Sequence, residues 1–352
     1  MMDLIKSNTY SIYFLDYGFK KLCDFINKNN YSKIFVHVDN NTKIHCLNIF
    51  NKKIKNIEFE IIISDEGEEN KNLDSCVKLW TILSNKNADR RSLIINLGGG
   101  VVGDMGGFLA STYKRGIDYI NIPTTLLSMV DASIGGKTGV DLNFLKNQIG
   151  TFHEPRMIVI DPVFLKTLNK DEILSGYAEI LKHSIISKNE LFEKLISKEN
   201  FSCSDLEIIK NSIIIKNSIV LIDKKELKER KALNFGHTLG HAIETNSMIK
   251  KKRLLHGFSI SVGFILEGYI SYILLNFPRE KLELIKNHVI KSFGKFDFNS
   301  TDINDIQKLL IHDKKNSHGK IKFLLLKDIG QPVYDLQVDN SLIKEAFEFY
   351  NS

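Results

Sequence analysis

The stretch SLIINL (Ser92–Leu97) is apolar at nearly every position and runs straight into Gly98, Gly99 and Gly100. A strand with one wet face alternates apolar and polar side chains. A continuous apolar run of this length fits a strand covered on both faces, as in parallel sheets flanked by helices. The glycines then turn the chain sharply into new helical text, so this junction alone points to an α/β domain with a parallel sheet. KIFVHV (Lys33–Val38), IEFEIII (Ile57–Ile63), DYINIP (Asp118–Pro123) and MIVID (Met157–Asp161) read as further strands, with a helix from about Leu73 to Leu83.

After Pro162 the periodicity changes. Apolar residues recur at helical spacing through most of Asp171–Glu229, Arg230–Thr245, His256–Leu275 and Arg279–Phe293, with a short strand pair at Lys320–Lys327 and Pro332–Val338. A chain of 352 residues is long enough for two domains. The expected division is residues 1–162, a Rossmann-like α/β nucleotide-binding domain, and 163–352, a mainly α-helical domain.

Gly98, Gly100 and Gly103 satisfy G-x-G-x-x-G at the end of a strand and the start of a helix. Glycine lets the backbone approach a pyrophosphate, and a helix N-terminus favours negative charge. The acid that ordinarily reads the ribose should end the next strand, yet Asp118 begins it. Asp39 and Asn41, which follow an earlier strand, are better placed. A tight turn without ligand is the alternative. Gly136-Lys137-Thr138 resembles the end of a Walker A loop, but Asp131 stands where its first glycine belongs, so an ATPase is rejected. Lys137 still stands on a glycine-rich loop suited to an oxyanion.

Three separated helical segments supply Glu179 (SGYAEILKH), His237 (LNFGHTLGH) and His256 (LLHGF). A carboxylate among Ile180, Leu181, Ile185 and Ile186 needs a partner, and a cation is the simplest one. Two histidines and one glutamate leave a coordination position open, as catalytic zinc does. His237 and His241 are four apart and share a helix face. If that helix extends back, Arg230 and Asn234 join the same stripe. Any one of these histidines alone could be a satisfied core residue. Thr238 replaces the acid of H-E-x-x-H, which argues against a zincin protease. Lys182 lies one turn from Glu179, and Lys216 sits inside the apolar run IIIKNSIVLI.

Other classes fit poorly. The net charge of +6 leans mildly toward anionic partners, but no basic block suggests nucleic acid. Cys23, Cys46, Cys76 and Cys203 are scattered, as in a reducing cytoplasm rather than a disulfide framework. The N-terminal text lacks a signal-peptide layout. Ser259–Leu275 is interrupted by Glu267 and is slightly short of the roughly 20 residues a membrane span needs, so it reads as a buried core helix.

Taken together, GGGVVGDMGGF (Gly98–Phe108), YKRG (Tyr113–Gly116), PTTLLSMVDASIGGKTGV (Pro123–Val140), KNQIGTFHEP (Lys146–Pro155), LKTL (Leu165–Leu168), SGYAEILKH (Ser175–His183), LNFGHTLGHAIE (Leu233–Glu244), LLHG (Leu254–Gly257) and DKK (Asp313–Lys315) resemble the 3-dehydroquinate synthases over essentially the whole chain. The resemblance implies a homodimeric enzyme with an NAD-binding domain and a helical metal-binding domain. It implies conversion of 3-deoxy-D-arabino-heptulosonate 7-phosphate to 3-dehydroquinate and phosphate, through transient oxidation by NAD, phosphate elimination, re-reduction and aldol closure.

By the same resemblance the zinc or cobalt ligands are Glu179, His237 and His256. NAD contacts fall at Asp39, Asn41, Glu68, Lys71, Gly100, Val101, Val102, Gly103, Asp104, Thr124, Thr125, Lys137, Lys146, Phe164, Leu165, Lys166, Thr167 and Glu172. Substrate is held by Asp131, Lys137, Asn147, Lys182, Lys216, Arg230, Asn234, His241 and Lys314, and Arg115 reaches the neighbouring subunit's site. One departure stands out: Phe258 occupies a position that is usually Glu, near the third ligand, so the surroundings of the metal are expected to differ. The rival readings are another sugar phosphate cyclase, a metal-dependent polyol dehydrogenase, and a non-catalytic binding protein.

Overall fold

A computed structural model describes residues 3–142, 145–197, 202, 205–252, 254–310 and 321–352. The strands are β1 (Leu4–Lys6), β2 (Ser11–Phe14), β3 (Lys33–Asp39), β4 (Glu60–Ser64), β5 (Ser92–Gly98), β6 (Asp118–Pro123), β7 (Lys137–Leu142), β8 (Leu145–Phe152), β9 (Met157–Ile160), β10 (Lys322–Leu326) and β11 (Pro332–Gln337). The helices are α1 (Leu15–Asn29), α2 (Asn40–His45), α3 (Leu47–Lys53), α4 (Leu73–Asn85), α5 (Gly100–Thr112), α6 (Lys170–Ile185), α7 (Leu191–Ser197), α8 (Leu206–Ile222), α9 (His237–Ile249), α10 (His256–Leu275), α11 (Arg279–Phe293), α12 (Ser300–Leu310) and α13 (Asn340–Asn351).

The chain divides into Met1–Asn169 with Cys203–Asn217, and Lys170–Ser202 with Ser218–Ser352. The boundary therefore lies beyond the expected residue 162. Phe164 explains the shift: it is buried and meets Phe19 of α1 at 6.4 Å between ring centroids, which keeps the turn after Pro162 with the first unit. The first part of α8 also returns to that unit, where Asn217 Nδ2 donates to the Lys6 carbonyl at 2.8 Å.

In the first unit, seven strands form one sheet in the order β1-β2-β9-β6-β5-β3-β4, with β1 antiparallel to β2 and the other pairings parallel. Every residue of β5 is buried, as its unbroken apolar text requires. Leu93, Ile94, Ile95 and Leu97 each contribute about 1.5–3 kcal/mol by leaving water. One polar row crosses this apolar sheet: His37 on β3, Asn96 on β5 and Asn121 on β6 are register partners. Asn96 Nδ2 donates to Asn121 Oδ1 at 2.9 Å, and His37 Nε2 lies 3.1 Å from Ser64 Oγ. Gly106 of α5 sits on this row, where an added Cβ would come 1.9 Å from Asn96 Oδ1.

The second unit is mainly helical. α10 is its centre, packed by α6, α9, α11 and α13. At 20 residues it has the length to cross a membrane, but it is largely buried within its own unit, as a core helix should be. β10 and β11 pair antiparallel, as expected from the text. The antiparallel hairpin β7–β8 of the first unit is an element that periodicity did not reveal.

Candidate functional site

The second unit brings Glu179, His237 and His256 together. Gly257 makes this possible: its amide donates to Ser175 Oγ at 3.0 Å, and a Cβ there would sit 2.2 Å from the Ser175 carbonyl oxygen. Only glycine lets the start of α10 approach α6 so closely, which carries His256 to Glu179. Gly236, with φ +76°, turns the chain into α9 so that His237 is the first helical residue.

Glu179 Oε1 lies 3.5 Å from His237 Nε2 and 3.3 Å from His256 Nε2. His237 Nδ1 lies 3.1 Å from the Phe235 carbonyl oxygen, which can only accept, so Nδ1 carries the proton and Nε2 presents a lone pair. His256 Nδ1 lies 3.1 Å from Glu244 Oε2, with the same consequence. Two imidazole lone pairs facing a carboxylate oxygen repel one another unless a cation lies between them. Ligands at about 2.0–2.1 Å from a tetrahedral zinc stand roughly 3.3 Å apart. The donor set and its spacing therefore fit a divalent metal. His241 brings a ring nitrogen into the same cluster, within 4.8 Å of those of His237 and His256.

The electrostatics agree. Burial alone would raise the Glu179 carboxyl, but the Lys182 ammonium and the two histidines hold it well below the usual carboxylate range. Lys182 Nζ donates to Glu179 Oε2, and both side chains are buried. Burial and the Lys182 charge push His237 down to about 4, keeping it neutral and ready to ligate. Burial would also lower His256, but the Glu244 charge and Glu179 push it up to about 9, surroundings that favour positive charge at the cluster.

Two acids here had no expected role. Glu244 backs His256. Glu267, fully buried on α10, accepts from the Gly236 amide at 2.6 Å and the Leu239 amide at 3.1 Å, fixing the first turn of α9. The signal for each was an acid inside otherwise apolar helical text. The Phe258 ring meets Phe293 and Phe296 edge-on, with centroids 5.7 and 6.0 Å apart.

The proposed polar stripe does not extend as expected. Residues Glu229–Asn234 form a separate 3-10 turn, and the left-handed Gly236 ends any continuity with α9. Arg230 is buried, with its guanidinium donating to the Lys224 carbonyl at 2.6 Å, and Asn234 Nδ2 donates to Glu226 Oε1 at 2.6 Å. His237 and His241 do share a face of α9.

In the first unit, α5 begins at Gly100 with no side chain capping its N-terminus. A Cβ at Gly103 would meet nothing within 4 Å, and one at Gly100 only makes ordinary contact with Ala132 at 3.6 Å. Protein packing therefore does not demand glycine at either position, and the bare, uncapped turn fits a pyrophosphate. Val101 borders this turn half-buried, while Val102 is buried against Gly98. The Thr124 amide donates to the Gly98 carbonyl at 3.0 Å, and Thr125 Oγ1 accepts from the Ser128 amide at 3.2 Å.

Asp39 caps α2, its Oδ1 accepting from the Thr42 amide at 2.7 Å, with Asn41 in the same first turn. Lys71 Nζ donates to Asp104 Oδ2 and Asn147 Oδ1, both at 2.7 Å, with Glu68 at 3.6 Å. Burial would lower this lysine, but the Asp104 and Glu68 carboxylates push it up instead. Lys146 lies 3.8 Å from Glu68. Lys216 is buried and holds Asp131 Oδ1 at 2.7 Å, which accounts for a lysine in apolar text.

Lys137 and Arg115 are exposed, and Arg115 follows Lys114 in a left-handed backbone (φ +73° and +52°). Lys166 and Thr167 are exposed. Phe164 and Leu165 have buried side chains, which leaves their backbone as what they could offer a cofactor. Glu172 belongs to the second unit. Lys314 and Cys203 lie outside the described residues.

Residues 61–175 match the family described as 3-dehydroquinate synthase N-terminal, and residues 176–316 match 3-dehydroquinate synthase C-terminal. The chain is 42% identical over 334 residues to the 3-dehydroquinate synthase of Parabacteroides distasonis, covering 94% of each. Among solved structures it resembles 2-deoxy-scyllo-inosose synthase complexed with carbaglucose-6-phosphate, NAD+ and Co2+ (TM-score 0.85, 25% identity, 98% of this chain and 99% of that one). It shares the fold of 2-epi-5-epi-valiolone synthase from Streptomyces hygroscopicus subsp. jinggangensis with NAD+ and Zn2+ bound (TM-score 0.83, 23% identity, 100% of this chain and 99% of that one).

Proposed function

This chain belongs to the 3-dehydroquinate synthase family, and we propose that it is itself such a synthase, converting 3-deoxy-D-arabino-heptulosonate 7-phosphate to 3-dehydroquinate and inorganic phosphate. The observation that carries the reading is the convergence of Glu179 Oε1 with two imidazole Nε2 atoms at 3.5 and 3.3 Å, in a chain that also has a bare glycine turn. When bound, NAD supplies a reversible hydride acceptor and zinc or cobalt a Lewis acid for the alcohol being oxidised.

Glu179, His237 and His256 hold the metal in this reading. The α5 N-terminus receives the pyrophosphate, with Asp39 and Asn41 near the ribose and the Lys71–Asp104–Glu68 network beside the glycine turn. The substrate carries a carboxylate and a phosphate, the anions that Lys137, Lys182, Lys216 and Arg230 would meet in this reading. A guanidinium fork suits a carboxylate. His241 stands next to the metal ligands, where it can hold or move a proton on a substrate oxygen. Arg115, on its strained turn, serves the site of a second copy, so the working enzyme is a homodimer.

The likeness to 2-deoxy-scyllo-inosose synthase supports a second reading, a cyclase acting on a hexose phosphate. The test is phosphate release with NAD and zinc present while NADH absorbance is followed. Stoichiometric phosphate from the heptulosonate phosphate, with no steady NADH, is the expected result. Release only from a hexose 6-phosphate would establish the second reading. Accumulating NADH without phosphate would make the protein a dehydrogenase.

A further inference from the structure

We infer that Glu244 is a positioning residue: it fixes the tautomer of His256 and strengthens that imidazole as a metal ligand. The inference rests on the metal reading above. Glu244 is only 5% exposed. It follows His237 by seven residues and His241 by three on α9, so all three lie on one helix face. From there its Oε2 reaches Nδ1 of His256, the first residue of α10, at 3.1 Å. The other ring nitrogen of His256 faces Glu179 Oε1 at 3.3 Å. The imidazole thus stands between two carboxylates, one on the cluster side and one behind.

The two histidines are backed differently. His237 Nδ1 has a neutral acceptor, the Phe235 carbonyl oxygen at 3.1 Å. His256 Nδ1 has a carboxylate. An ionised carboxylate only accepts, so it fixes the proton on Nδ1, and its charge makes Nε2 a better donor to a cation. The ring itself separates Glu244 from the cluster, so Glu244 acts through His256 and is not a ligand. Phe258 is turned toward Phe293 and Phe296, which leaves Glu244 as the carboxylate behind this ligand among the described residues.

The test compares Glu244→Gln and Glu244→Leu with the parent and with His256→Ala. Zinc affinity is measured by competition with a chromogenic chelator, and the His256 ring nitrogens are followed by long-range proton–nitrogen correlation in the zinc-loaded protein. Glu244→Leu is expected to weaken zinc about 10–100-fold, with loss of the pure Nδ1-protonated signature. Glu244→Gln keeps an acceptor and the shape but loses the charge, so it should fall between Leu and parent. Thermal unfolding in a chelator separates this from a purely structural role, which would lower metal-free stability and leave zinc affinity unchanged. Affinity within about twofold of the parent in both variants overturns the inference, since losing the carboxylate behind a ligating imidazole should cost more than that. If Glu244→Leu does not fold, the Gln variant decides alone. Tight zinc binding by His256→Ala would instead overturn the metal reading itself.

Discussion

Replacing Lys182 with methionine tests the charge balance at the centre of the helical unit. The Lys182 and Glu179 side chains are each 1% exposed, and Nζ donates to Oε2. Removing one partner of a buried pair leaves an uncompensated charge and costs about 3–5 kcal/mol. At about 2–4 °C per kcal/mol for a unit of this size, the metal-free Lys182→Met protein should unfold roughly 6–20 °C below the parent. The double variant Glu179→Gln with Lys182→Met removes both charges and should recover most of that loss, because exchanging a whole buried pair for neutral groups is often close to neutral. Added zinc should narrow the gap for the single variant, since without the Lys182 charge nearby Glu179 binds the cation more tightly, and a ligand stabilises the folded state more the tighter it binds. Calorimetry in chelator and in zinc measures all of this. A single variant that unfolds within about 2 °C of the parent in chelator, or a double variant no better than the single, would refute the argument.

Four more outcomes follow from the same structure. Burial lowers His37 from 6.5 to about 4, so the unfolded chain takes the proton first; the histidine's contribution of about 3 kcal/mol is present above pH 6.5 and lost as pH falls to about 4. His37→Leu should flatten the urea-midpoint profile across that window. Gly103→Ala should leave stability unchanged or raise it by up to about 1 kcal/mol through helix propensity, yet weaken NAD binding measured by fluorescence; unchanged NAD affinity would remove the dinucleotide from that face. Gly236→Ala adds a Cβ 2.3 Å from Phe264 Cδ1 at φ +76°, and should cost about 2–5 kcal/mol in chemical denaturation from left-handed strain plus overpacking. Lys137→Ala and His241→Ala should each cut turnover by about 100-fold or more, the scale of a lost proton-transfer or charge-stabilising group, while NAD titrations of His241→Ala stay near parent values.

The sheet was legible because a strand buried on both faces leaves an unbroken apolar run, as in β5. The hairpin β7–β8 was not, because Gly139 and Gly150 sit where close strand approach demands them rather than where alternation would mark a strand; a Cβ at Gly150 would lie 2.2 Å from the Thr138 carbonyl. Glu179, His237 and His256 were legible as polar intrusions in apolar helices. The continuity of Arg230 and Asn234 with α9 failed because the spacing of 230, 234, 237 and 241 is helical while the backbone at Gly236 is left-handed, and side-chain spacing says nothing of φ. Glu244 and Glu267 were visible as acids, but their partners come from other helices, and those pairings exist only once α9, α10 and α6 have packed.

Glu267 has a bearing on biosynthesis as well. Without it α10 would be a twenty-residue apolar segment, the pattern that insertion machinery accepts into a bilayer. A charged residue near the middle of such a segment raises the cost of insertion by about 2.5–3.5 kcal/mol. The carboxylate that holds the Gly236 and Leu239 amides in the folded protein thus also makes the nascent helix a poor substrate for membrane integration before its neighbours have arrived to cover it.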